Sequence, residues 1–276
     1  MLRDAIRDQI RTLMGSDEAS AVDLTRPPGD DGLFGPDSAS WQVHGDFTAM
    51  MIGGVSALLL QMLHPAVLAG VWDHSGFRDD MPGRLKRTAR FIAATTYGST
   101  ASAEAMIARV RHVHRNIRGT LPDGTPYEAD DPALLTWVHV AEARSFLAAH
   151  IRYRDPAFPG ARQDRYYAEM AALARRLGAT EVPETRAAVE TYLRGMRRKL
   201  LVDARTRDVA QVLLGQPAPN PASRPLQQIL LQSGVDLLPP WARAMHGLRV
   251  PLREKLALRA GAIGAGNVLR WAMAPR

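Results

Sequence analysis

The chain has 276 residues, 46% of them apolar, enough to bury a substantial core as one large domain or two small ones. It has no cysteine, which excludes disulfides, thiolate zinc sites, iron–sulfur clusters, thiolate-ligated haem and cysteine nucleophiles, so any metal must be held by His, Asp, Glu, Met or Tyr. The net charge of +7 comes from basic residues, nearly all Arg, spread among 28 acidic ones with no nucleic-acid-binding motif. No nucleic-acid partner is expected, and the charge is compatible with peripheral contact to anionic lipid.

Apolar spacings of three and four, punctuated by Pro and Gly at helix-like intervals, predict an all-α fold. The first segment, 1–14, reads as an amphipathic helix with Leu2, Ile6, Ile10 and Leu13 on one side. Its charges at Arg3, Asp4, Arg7, Asp8 and Arg11 leave no apolar run of signal-peptide length, so a cytoplasmic location is expected. A polar Pro/Gly-rich link follows from Gly15 to about Ser38. No formally charged side chain occurs between Asp46 and Asp73, a length that raises a membrane span. Gly53, Gly54, Ser56, Gln61, His64 and Pro65 interrupt it, and Pro65 removes a backbone donor, so the expectation is a buried central helix that breaks there.

The spacing then predicts helices over 83–97 and 102–117, with Ser102 as N-cap and Gly119 as the stop, and a small hairpin around Asp123-Gly124 within 121–131. Asp131-Pro132 is a cap-plus-first-turn pair for a helix to about His150. Further helices are expected near 163–177, 184–200, 204–214, 225–235 and 251–272, with a loop at Pro217–Pro221. No repeat or boundary divides the chain, so 1–276 is read as a single domain.

Two histidines on the 102–117 helix point apart. Ala103, Met106, Ile107, Val110, Val113, His114 and Ile117 share one stripe, while Arg109, Arg111, His112 and Arg115 occupy the rest, so His114 is expected to face the core and His112 water. A buried imidazole must place both ring nitrogens. It is either a core residue satisfied by hydrogen bonds or a metal ligand whose second nitrogen donates elsewhere, and spacing leaves both open. Arg84 and Thr88, four apart, share a face that suits an oxygen species or a carboxylate, with Arg87 beside them; the other reading is a solvated basic face. Arg118, four after His114, reads as surface. His64 and His139 read as core residues with local hydrogen bonds. No Glu-x-x-His pair, phosphate loop, HExxH or nucleophile elbow is present.

Four blocks in order, GDFTAMMIGGVSALLLQMLHPAVLAGV at 45–71, RLKRTARFIAATTYGS at 84–99, VRHVHRNIRG at 110–119 and LLTWVHVAEARSFL at 134–147, resemble the haem-dependent oxygenase family of rubber oxygenase and the fungal mycophenolic-acid-pathway oxygenase. The resemblance covers roughly 45–154. It implies a single-domain helical bundle, distantly globin-like, holding haem b. Through it His114 matches the proximal iron ligand, Arg84 and Thr88 match an Arg-x-x-x-Thr pair near the haem, and Arg118 matches an Arg four after that ligand. Arg87, together with Arg84, Thr88, Arg118 and His64, completes the cofactor-binding set expected here. Rubber oxygenase carries a lysine where Arg87 stands. Guanidinium stays protonated and does not readily ligate iron, so an open or water-filled sixth position is expected. The family's acidic base is not matched, which leaves Asp73, Asp79 and Glu142 as candidates.

The resemblance thus implies oxidative cleavage by dioxygen of a carbon–carbon double bond in an apolar, isoprenoid-like substrate, with Arg84 and Thr88 as catalytic residues. Two other readings stand beside it. One is a haem-binding carrier or gas sensor without turnover. The other is a helical membrane- or partner-binding protein without haem, suggested by the basic C-terminal segment.

Overall fold

The structure is a computed structural model in which residues 30–274 are described; the amphipathic segment expected at 1–14 lies outside the described residues. Among those described, the fold is all-α apart from one two-stranded hairpin. In chain order come α1 (Ala39–His44), α2 (Phe47–Gln61), α3 (Pro65–His74), α4 (Met81–Tyr97), α5 (Thr100–Arg115), β1 (Arg118–Thr120), β2 (Pro126–Glu128) and α6 (Pro132–Tyr153). The second half holds α7 (Gly160–Leu177), α8 (Arg186–Met196), α9 (Ala204–Leu214), α10 (Arg224–Leu237), α11 (Pro240–Met245) and α12 (Leu252–Met273).

The core is built around α2 and α6, which pack along each other, with α10 and α12 mainly against α2 and α7 against α6. Asp46 starts α2 by accepting from the Ala49 amide at 2.8 Å. Gly53 lets the two central helices close up, because a Cβ there would lie 2.7 Å from Phe146 Cδ1 and 3.1 Å from its Cα. The Trp137 indole N–H on α6 donates to the Gln61 carbonyl at 3.2 Å, and the Gln61 side chain donates to the Val138 carbonyl at 3.0 Å, which satisfies the frayed end of α2 inside the core.

Pro65 breaks the apolar run as expected: His64 becomes the N-cap of α3, Pro65 opens its first turn, and α3 departs from α2 at 106°. No single helix among the described residues is long and apolar enough to cross a membrane, and much of this bent pair is buried in the core. Asp131 caps α6 by accepting from the Ala133 and Leu134 amides.

Three expectations are corrected. The N-cap of α5 is Ser99, whose hydroxyl accepts from the Ser102 amide at 3.3 Å, so Ser102 lies inside the helix. Helix α5 ends at Arg115 with Asn116 as its C-cap, and Gly119 sits instead in β1 opposite Tyr127, where a Cβ would meet the tyrosine hydroxyl at 2.7 Å. Val113, placed on the buried stripe, is 48% exposed because little packs over the end of α5. The six-residue helices α1 and α11 were not expected; each is too short to show a helical period.

Candidate functional site

Helices α4 and α5 form an antiparallel hairpin joined by Gly98 and Ser99. Asp80 starts α4 by accepting from the Gly83 amide at 2.7 Å. Arg84 and His114 stand about equally far from the turn along their helices, which places them at the same level near the hairpin's open end. The two helices pack on each other and α5 touches α7, but neither packs extensively along α6. Side chains of α4 and α6 line a narrow cavity between the hairpin and the central helix.

His114 is half-buried, and its Nδ1 is buried with no hydrogen-bond partner among the described residues. Burial pushes its pKa below the ordinary histidine value, and the nearby Asp130 carboxylate opposes that shift. The ring is thus held neutral near pH 7 and keeps a lone pair for a ligand. His112 is exposed. The two histidines of α5 are separated as their spacing requires.

His139, on α6, links His114 to the interior. Burial and then the neighbouring His114 depress its pKa to about 4. It also lines a narrow cavity with Glu142, Phe91, Ile92, Thr95, Phe146, Met170, Leu173, His44 and Tyr166, whose free space takes little more than a water molecule. Burial raises the Glu142 carboxyl to about 7, so it holds a proton for part of the time at neutral pH. At the far end His44 is fully committed: Nδ1 lies 2.8 Å from Thr96 Oγ1 and Nε2 lies 3.0 Å from Tyr166 Oη. Burial depresses its pKa to about 3.

The Arg84 guanidinium is partly buried and donates to Ser75 Oγ at 2.8 Å, tying the first turns of α4 to the end of α3. Burial, then Arg87, lowers its pKa to about 10, so it remains charged. Thr88 is exposed, and its hydroxyl donates back to the Arg84 carbonyl at 3.3 Å. Arg87 is exposed and pairs with Asp80 at 3.4 Å. Arg118 turns to the Arg115 carbonyl at 2.9 Å and to Glu128 at 3.8 Å. His64 lies against the start of α6, its ring 6.3 Å from Trp137 and its Nδ1 buried without a partner among the described residues. Burial first, then Lys199, lowers its pKa to about 4.

The structure therefore brings Asp130 and His139 beside His114, ties Arg84 to Ser75, and turns the Arg87 and Arg118 side chains toward other partners. Asp130 was not singled out from sequence, because in Asp130-Asp131-Pro132 it reads as part of the cap. Among the described residues no three His, Asp or Glu converge as a metal-ion ligand set. The donor on offer is one neutral imidazole, which would suit an iron whose other ligands come from a macrocycle. The half-exposed Val113 also fits an apolar group over this end of the hairpin.

No solved structure matches the chain. Two curated relatives, uncharacterized proteins of Mycobacterium bovis and Mycobacterium tuberculosis, are each 30% identical over 131 residues, 45% of this chain and 49% of the relative. These matches span about half of each relative's length. A far longer match is to the family model for the ER-bound oxygenase mpaB/B'/rubber oxygenase catalytic domain, over residues 41–270, which takes in all four sequence blocks and every helix described above except α1, begun two residues earlier, and the end of α12. The chain belongs to that oxygenase catalytic-domain family.

Proposed function

We propose that the chain is a b-type haem-dependent oxygenase, in which His114 would hold the iron, and that it uses dioxygen to cleave a carbon–carbon double bond in an apolar, isoprenoid-like substrate. The observation that carries this reading is the His114 ring itself: half-buried, held neutral by burial, and making no hydrogen bond through its buried Nδ1 to any described residue. Membership of an oxygenase family supports the reaction type. When bound, haem would supply the redox-active iron at which dioxygen is activated.

The chain's own residues have separate tasks. His114 offers a lone pair at neutral pH. Arg84, charged and braced by Ser75, is suited to hold an anionic group such as a propionate carboxylate. Phe91, Ile92, Phe146, Met170 and Leu173 make the narrow cavity beside His139 and Glu142 apolar, which would keep bulk water out. Glu142 can hold or release a proton at its carboxyl near neutral pH, facing that interior.

The reading is tested by incubating haem-loaded protein with squalene under isotopically labelled dioxygen. Labelled aldehyde or ketone fragments are expected. Bound haem with no labelled product would leave a carrier or gas sensor as the better description.

A further inference from the structure

The end of α5 and the start of α6 are stitched together by the β1–β2 hairpin. After β2 returns, the Ala129 amide donates to the Ile117 carbonyl at 2.9 Å, which fixes the residue before Asp130 three positions beyond His114. On its other side Asp131 is locked as the cap of α6, its carboxylate accepting from the Ala133 amide at 2.7 Å. Asp130 is thus held between two anchored neighbours, beside the last turn of α5. Two buried polar atoms in this junction lack a hydrogen-bond partner among the described residues: His114 Nδ1 and Asp130 Oδ1. One is a donor in the appropriate tautomer and the other is an acceptor. Asp130 is also the one charged neighbour that bears on the His114 ring among the described residues, and its carboxylate is acceptor-only.

We propose that Asp130 is the positioning residue for His114, accepting a hydrogen bond from Nδ1–H so that Nε2 is the nitrogen presented for coordination. The inference rests on the haem reading above and adds which group sets the tautomer and basicity of the ligand. A carboxylate on the far nitrogen of a metal-bound imidazole fixes its orientation and strengthens its donation to the metal.

The test compares haem-loaded full-length wild type with Asp130→Asn, Asp130→Ala and Asp130→Glu, reading the ferric/ferrous midpoint potential and the iron–histidine stretching band of the ferrous form by resonance Raman. Asp130→Asn is expected to raise the potential and lower the stretching frequency, because the ring loses its anionic partner. Its helical circular dichroism should stay unchanged. Asp130→Ala should do the same and weaken haem affinity about 10- to 100-fold, and Asp130→Glu should restore part of the potential. A purely structural role would move none of the electronic readouts. Potential and stretching band unchanged in Asp130→Asn, with haem bound through His114, would overturn the Asp130 assignment alone; wild type that takes up no haem would overturn it together with the haem reading.

Discussion

Single residues set the acid–base character of this protein. His44 and His139 are kept neutral in the interior, with pKa values near 3 and 4, and His64 with a value near 4. In the unfolded chain each would return to the ordinary histidine value of about 6.5. Between that value and about 4 the unfolded state binds more protons, so stability falls as pH falls through the window. Glu142 acts oppositely: with a folded pKa near 7, it contributes stability at low pH that is lost as pH rises from the ordinary carboxylate value through 7. Three imidazoles outweigh one carboxyl. The thermal midpoint of the haem-free protein is expected to be lower at about pH 4.5 than at pH 7, measured by circular dichroism at matched ionic strength. An equal or higher midpoint at the acid end would contradict the placement of these rings. Much of this scale was readable in the sequence. The three-and-four spacing separated His114 from His112, but it placed Val113 in the core, because spacing reports the face of a helix and not whether anything covers it. Asp130 was unreadable for a related reason: its importance comes from the junction between two helices, and locally it is one acid in a capping run.

At the scale of elements, helix boundaries followed capping chemistry where the cap was unambiguous. Asp131-Pro132 opened α6 as expected, and 204–214 was read to the residue. Where two serines competed, the one at the tight turn after Gly98 prevailed, and Gly119 proved to be needed for close approach to Tyr127 rather than for a helix stop. The charge-free run resolved into two helices because Pro65 cannot continue α2. What spacing could not show is how closely α2 and α6 approach. Gly53 decides that, and Gly234 does the same where α10 meets α2, since a Cβ there would lie 2.5 Å from Val55 Cγ1. Gly53→Val is therefore expected to destabilise the fold by about 1–3 kcal/mol through overpacking against Phe146, seen as a thermal midpoint several degrees lower. A midpoint equal to wild type would mean that α2 and α6 are farther apart than described.

For the whole molecule, the C-terminal helices are bound to the central pair by charge as well as by packing. The Asp236 carboxylate on α10, fully buried, meets Arg152 of α6 at 3.3 Å, Arg243 of α11 at 3.4 Å, and Lys255 and Arg259 of α12 at 3.7 and 2.8 Å. Arg270 of α12 pairs with Asp46, the cap of α2. Part of the basic excess near the C-terminus is thus turned inward, which explains why composition alone was a poor guide to a partner. This arrangement holds α2 and α6 together and leaves the α4–α5 hairpin, with His114 near its open end, as one wall of the narrow cavity. The central claim is that this one imidazole anchors a haem. The most direct measurement is the visible spectrum and haem stoichiometry of protein produced with ample haem, compared among wild type, His114→Ala and His112→Ala. A Soret band with about one haem per chain is expected for wild type and His112→Ala, with most of the haem lost from His114→Ala. Equal haem retention in the two variants, or no Soret band in wild type, would contradict it.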